Sequence, residues 1–108
     1  MEMQPRPNCP VARSANLLGD KWSLLILRNL ILDGPHRFQD FARTLEGVSP
    51  TTLSARLKAL QEAGLITREV VPTHPPKTVY ALSKTGETAT PIIRAMREFA
   101  QRLPPEAD

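Results

Sequence analysis

Eight of the eleven residues in the stretch WSLLILRNLIL, Trp22 to Leu32, are apolar, and neither glycine nor proline interrupts them. The run is too long for one buried strand, so it predicts a helix. Asp20 stands where its carboxylate can cap the free amides of the first turn, and Gly34-Pro35 ends the segment. Apolar side chains then cover every face except that of Ser23, Arg28 and Asn29. Such a helix is stable only when other elements surround it. Its length excludes a membrane span, which needs about 20 apolar residues. The chain must therefore build one domain around this rod, and 108 residues are enough for a single core.

The flanking segments supply the packing elements. Residues 1–8 have no periodicity and carry two prolines, which predicts a flexible arm. Pro10 suits the first position of a helix in which Val11, Ala15 and Leu18 share a face, and Gly19 is expected to end it in the left-handed conformation. After the central helix, His36-Arg37-Phe38 allows only a very short strand. Phe38, Phe41, Ala42 and Leu45 predict a short helix stopped at Gly47. Ser49, Pro50 and the spacing of Leu53, Leu57 and Leu60 predict a helix from Pro50 to Ala63, with Gly64 as its stop. The period then changes. LITREVV and TVYAL are β-rich and flank a proline turn, which predicts a hairpin. Ser83 caps a last helix with Ala89, Ile92, Met96, Phe99 and Leu103 on its apolar stripe, and Pro91 is expected to kink or break it. Residues 104–108 are expected to fray.

Two consecutive helices joined by a short turn, followed by a hairpin, are the layout of a winged helix-turn-helix. The fold class is mainly α with a small β-hairpin wing, and the domain proper runs over residues 9–103. In such a fold the start of the second helix enters the DNA major groove. Here that start is rich in hydroxyls: Ser49, Thr51, Thr52 and Ser54. Hydroxyls donate to or accept from base edges, and threonine methyls can touch thymine. Ala55 allows close approach. Arg56 suits a guanine edge or a phosphate, and Lys58 a phosphate. The capping use of Ser49 stands beside this reading, since SPTT is also an ordinary helix start. In the hairpin turn His74 and Lys77 are the wing candidates, although a histidine so placed is more often an exposed turn residue than a ligand. Arg37 is a further candidate for a phosphate contact, and Arg68 is assigned either to DNA or to a structural salt bridge.

Other chemistries find little footing. One cysteine and two separated histidines give no metal-ligand spacing, so neither metal nor cofactor is expected. No paired carboxylates, nucleophile–base arrangement or phosphate loop can be assembled, which argues against an enzyme. The net charge of +3 is compatible with a polyanionic partner. The N-terminus MEMQPRPN has no apolar segment of signal-peptide type, so the expected compartment is the cytoplasm. A winged helix used for protein contact is the competing function. An acidic or apolar reading face would mark it, whereas this face carries hydroxyls, Arg56 and Lys58.

The segments CPV, GDKWSLLILRNLILDGPHRF, GVSPTTLSARLKALQEAGLITR and VPTHPPKTVYALSKTG occur together and in order. Their combination resembles the HxlR-type winged-helix transcriptional regulators of bacteria, relatives of the MarR-type proteins, from Cys9 to about Phe99. Phe99 stands where such proteins often have a tryptophan. The resemblance implies a homodimer joined through the first and last helices, with Val11, Ala15, Leu18, Ile92, Met96, Phe99 and Leu103 at the interface. The apolar stripe of the last helix supports this on its own. A twofold dimer implies a pseudo-palindromic operator in double-stranded DNA, and repression is the simplest mode. The resemblance also makes Cys9 a candidate sensor of oxidants or electrophiles, since some such regulators carry a sensing cysteine before the first helix. A helix N-terminus favours thiolate. The alternatives are that Cys9 is a small residue packed at the dimer interface, or that a small-molecule effector binds between the helices.

Overall fold

A computed structural model describes residues 9–106, so the arm over residues 1–8 lies outside the described part. The order is α1 (Pro10–Leu18), α2 (Lys21–Asp33), α3 (Phe38–Thr44), α4 (Pro50–Glu62), β1 (Ile66–Val71), β2 (Lys77–Leu82), α5 (Lys84–Glu87) and α6 (Thr90–Gln101). The fold is a winged helix-turn-helix.

Helix α2 is the hub. It packs against α1, α4, α6 and β2, and Ile26, Leu27 and Leu30 are buried in the core with Phe41, Leu45, Leu53, Leu57, Leu60 and Ile66. Its faces are sorted differently from the expectation. Ser23 and Asn29 are buried, while Leu32 is 65% exposed. Both polar residues have hydrogen-bond partners at the edge of the core. The Ser23 hydroxyl donates to Asp20 Oδ2 at 2.6 Å, and Asn29 Nδ2 donates to Thr44 Oγ1 at 3.0 Å. A satisfied hydrogen bond removes most of the penalty for burying a polar group. Arg28 in turn donates through Nε and Nη2 to Asn29 Oδ1.

The short helices differ in detail from the sequence reading. Ala42 is exposed on α3, so only Phe41 and Leu45 of the expected face are buried, with Phe38 packed against the core's edge. Gly19 has φ −74°, not the left-handed value. It is small because a Cβ there would fall on the Ala15 carbonyl oxygen. Gly64, by contrast, does end α4 with φ +80°.

The wing is an antiparallel pair with Ile66 opposite Leu82 and Val71 opposite Lys77. The short strand after α2 reduces to one bridge. The His36 amide donates to the Tyr80 carbonyl at 2.9 Å, and the Tyr80 amide returns the bond at 2.7 Å. His36 is buried, bonded through Nδ1 to the Gly34 carbonyl at 2.8 Å and stacked on Phe41.

The last helix is broken where proline requires it. Ser83 caps the one-turn α5, and Pro91 sits in the first turn of α6. Ala89 is buried at the joint. Helix α6 ends at Gln101, so Leu103 lies in the turn beyond it. Residues 104–106 have no regular structure.

Candidate nucleic-acid interface

Helix α4 begins as its sequence dictates. Ser49 Oγ accepts from the Thr52 amide at 3.1 Å and donates to Thr52 Oγ1 at 2.9 Å. Pro50 occupies the first turn, where its missing N–H has no cost. Ser49 and Thr52 thus spend part of their hydrogen-bonding capacity on each other. Leu53, Leu57 and Leu60 face inward. Thr51, Ser54, Ala55 and Lys58 are exposed at i, i+3, i+4 and i+7, which is one helical face, and Thr52 and Arg56 border it half-buried. Between Thr51 and Lys58 that face carries no acidic residue, and the exposed Glu62 follows on the same line one turn further on.

Arg56 has a partner that periodicity does not reveal. Its Nε lies 3.4 Å from Asp20 Oδ1, the residue that caps α2. Asp20 Oδ1 also accepts from the Ser23 amide at 2.8 Å. Burial tends to raise the Asp20 carboxyl, but the Ser23 hydroxyl and amide, followed by the charge of Arg56, outweigh it and hold the group below the ordinary carboxylate value.

The other basic candidates lie on neighbouring elements. Arg37 is exposed at the start of α3, and its amide donates to Asp40 Oδ2 at 2.9 Å. That amide is the main reason the Asp40 carboxyl sits low. His74 and Lys77 are exposed at the tip and first residue of the wing's second half. Arg68 is exposed on β1, opposite Tyr80, and takes no part in either ion pair found among the described residues, so the salt bridge allowed for it is not formed.

Apolar side chains are also exposed on α1 and α6. On α1, Val11 is 77% exposed and Ala15 is also exposed. Leu18 instead packs beside the chain's own core, with Leu17. On α6 no residue is buried, and Ile92, Met96, Phe99 and, just beyond, Leu103 are all exposed. Cys9 is the N-cap residue of α1. Its carbonyl accepts from the Arg13 amide at 2.9 Å, and its thiol is free and half-exposed.

The HxlR-like helix-turn-helix family model matches residues 17–108. The uncharacterised transcriptional regulator YdeP of Bacillus subtilis is 33% identical over 100 residues, covering 93% of this chain and 77% of that protein. Two solved structures are similar throughout. The redox regulator HypR in its oxidised form superposes with a TM-score of 0.83 at 31% identity, over 91% of this chain and all of that one. The reduced form of the regulator YodB from B. subtilis gives a TM-score of 0.79 at 34% identity, over 93% of this chain and 98% of that one.

Proposed function

Because this chain belongs to the HxlR-like helix-turn-helix family, and is a transcriptional regulator of helix-turn-helix type, we propose that it binds specific double-stranded DNA as a homodimer and represses transcription. The observation that carries the reading is the exposed face of α4. Thr51, Ser54, Ala55 and Lys58 stand together on a helix held rigidly by three buried leucines. In the groove the hydroxyls and Arg56 read base edges, while Lys58, Arg37, Lys77 and His74 hold phosphates. Among the described residues no helix is long and apolar enough to cross a membrane, and a regulator of this type works where the chromosome is, in the cytoplasm.

The uncovered apolar residues of α1 and α6 support the dimer. They leave apolar side chains in water that a second copy would cover through a twofold contact. Two α4 helices would then meet half-sites about one turn of DNA apart, on a pseudo-palindromic operator. Polymerase exclusion at such an operator is the simplest mode for so small a chain. For the signal we favour thiol chemistry at Cys9. Relatives of this fold include the redox regulator HypR, and the free, half-exposed Cys9 stands at the start of α1 beside the proposed interface.

Fluorescence anisotropy over a salt series tests the reading, with the duplex upstream of the gene and a scrambled duplex of equal length. The expected result is a steep salt slope with a clear preference for the native duplex. Equal, weak binding to both, persisting with duplexes selected from random DNA, would assign the winged helix to protein contact instead.

A further inference from the structure

Arg56 is gripped in an incomplete way. An arginine–carboxylate pair is frequently bidentate, with two parallel hydrogen bonds. Here the ion pair is made through Nε, 3.4 Å from Asp20 Oδ1. The approach is off-line, because Nε is buried yet makes no aligned hydrogen bond. Each Asp20 oxygen already accepts one hydrogen bond, from the Ser23 amide and hydroxyl, and these two bonds fix the direction in which the carboxylate faces. Neither terminal nitrogen of Arg56 has a hydrogen-bond partner among the described residues, although the side chain remains 42% exposed. The buried edge is thus anchored by charge, and the terminal fork is left for another acceptor.

We propose that Asp20, which lies outside the helix pair, is a positioning residue for DNA reading: it holds Arg56 by its Nε edge so that the terminal nitrogens meet an acceptor pair on a base. The inference rests on the DNA-binding reading of α4. It assigns a specificity role to a carboxylate that simple charge arguments would count as unfavourable near DNA. Removing an acidic group beside a polyanion ordinarily tightens binding on every sequence. A positioning carboxylate does the opposite, and only on the cognate sequence, because an untethered guanidinium must be ordered again at each binding event. Asp20→Asn is the decisive variant. Asparagine still caps a helix, so α2 keeps its N-terminus while the charge that anchors Arg56 is lost.

The test is a double-mutant cycle on a duplex that the wild-type protein selects from random DNA, with a scrambled duplex alongside. Circular dichroism establishes that each variant is folded. Asp20→Asn is expected to weaken binding to the selected duplex about tenfold and to leave the scrambled duplex within about twofold. In an Arg56→Ala background the same change should cost less than about twofold, because its only route is already gone. Arg56→Lys keeps the charge but loses the fork, and should lose the sequence preference as Arg56→Ala does. Asp20→Glu should recover part of the loss. An equal penalty in both backgrounds, an equal effect on both duplexes, tighter binding, or full specificity in Arg56→Lys would each overturn the assignment. Wild-type protein that selects no sequence would remove the DNA-binding reading itself and this inference with it. Selection by the wild type with an additive cycle would remove the role of Asp20 alone.

Discussion

Asp20 closes the first turn of α2 and faces Arg56 of α4, so one carboxylate stabilises two helices. Its folded-state titration lies below the ordinary value, which fixes the sign of its pH dependence. A depressed carboxyl contributes stability above its unfolded value, near 3.8, and loses it as pH falls through the lower folded value. Thermal melts of the wild type should therefore drop below about pH 4, and Asp20→Asn should flatten that part of the profile. A variant whose melting temperature follows the wild-type curve throughout the acid range would contradict this. Cys9 is tested by function at the same scale. Cys9→Ser is expected to keep DNA affinity within about twofold, given its place outside α4, and to abolish release by diamide or peroxide. An unchanged oxidant response in Cys9→Ser would move the signal elsewhere. The capping role of Asp20 is legible in the sequence, as is the basic character of Arg56. Their contact is not, because it joins distant parts of the chain. The interior places of Ser23 and Asn29 are hidden for a related reason: their partners are individual hydrogen-bonding groups, to which apolar periodicity is blind.

At the level of elements, periodicity and breakers carry most of the information. The spacing of Leu53, Leu57 and Leu60 sets the inner face of α4, and with it the outer face that offers Thr51, Ser54, Ala55 and Lys58. The break before α6 follows from Pro91. Less visible is the joint that fixes the wing to the helices. The Ser83 amide donates to the Leu65 carbonyl at 3.0 Å, Ser83 Oγ bonds the Gly64 carbonyl, and the Gly86 amide donates to Ser83 Oγ at 2.9 Å. Gly86 is buried, and a Cβ on it would collide with the Leu65 carbonyl oxygen, which is backbone and cannot swing aside. Gly86→Ala should therefore cost about 1–3 kcal/mol in urea unfolding. The serine is readable as a cap, but nothing in sequence spacing shows that the following glycine is pressed against the residue that enters the hairpin. Stability equal to wild type in Gly86→Ala would show that this joint yields.

Across the whole molecule, one apolar surface is closed and another is open. The core around α2 is complete within the chain, whereas α6 buries none of its residues. Replacing Phe99, which is 63% exposed, should leave the fold intact and act on assembly. Phe99→Glu is expected to sediment as a monomer at concentrations where the wild type is dimeric, and to lose roughly all cooperative operator binding, since each half-site is then bound alone. A Phe99→Glu protein that remains dimeric would place the contact on another face.

The open stripe on α6 also makes copy number a structural variable. If a second copy binds the folded chain through it, dilution removes that stabilisation, and each tenfold rise in concentration adds about 1.4 kcal/mol per dimer to the native state. Melting temperature should then climb with protein concentration, and stay flat for Phe99→Glu. Synthesis and persistence become linked through mass action. Newly made molecules, still scarce, are the ones most open to proteolysis, and each addition to the pool protects those already present.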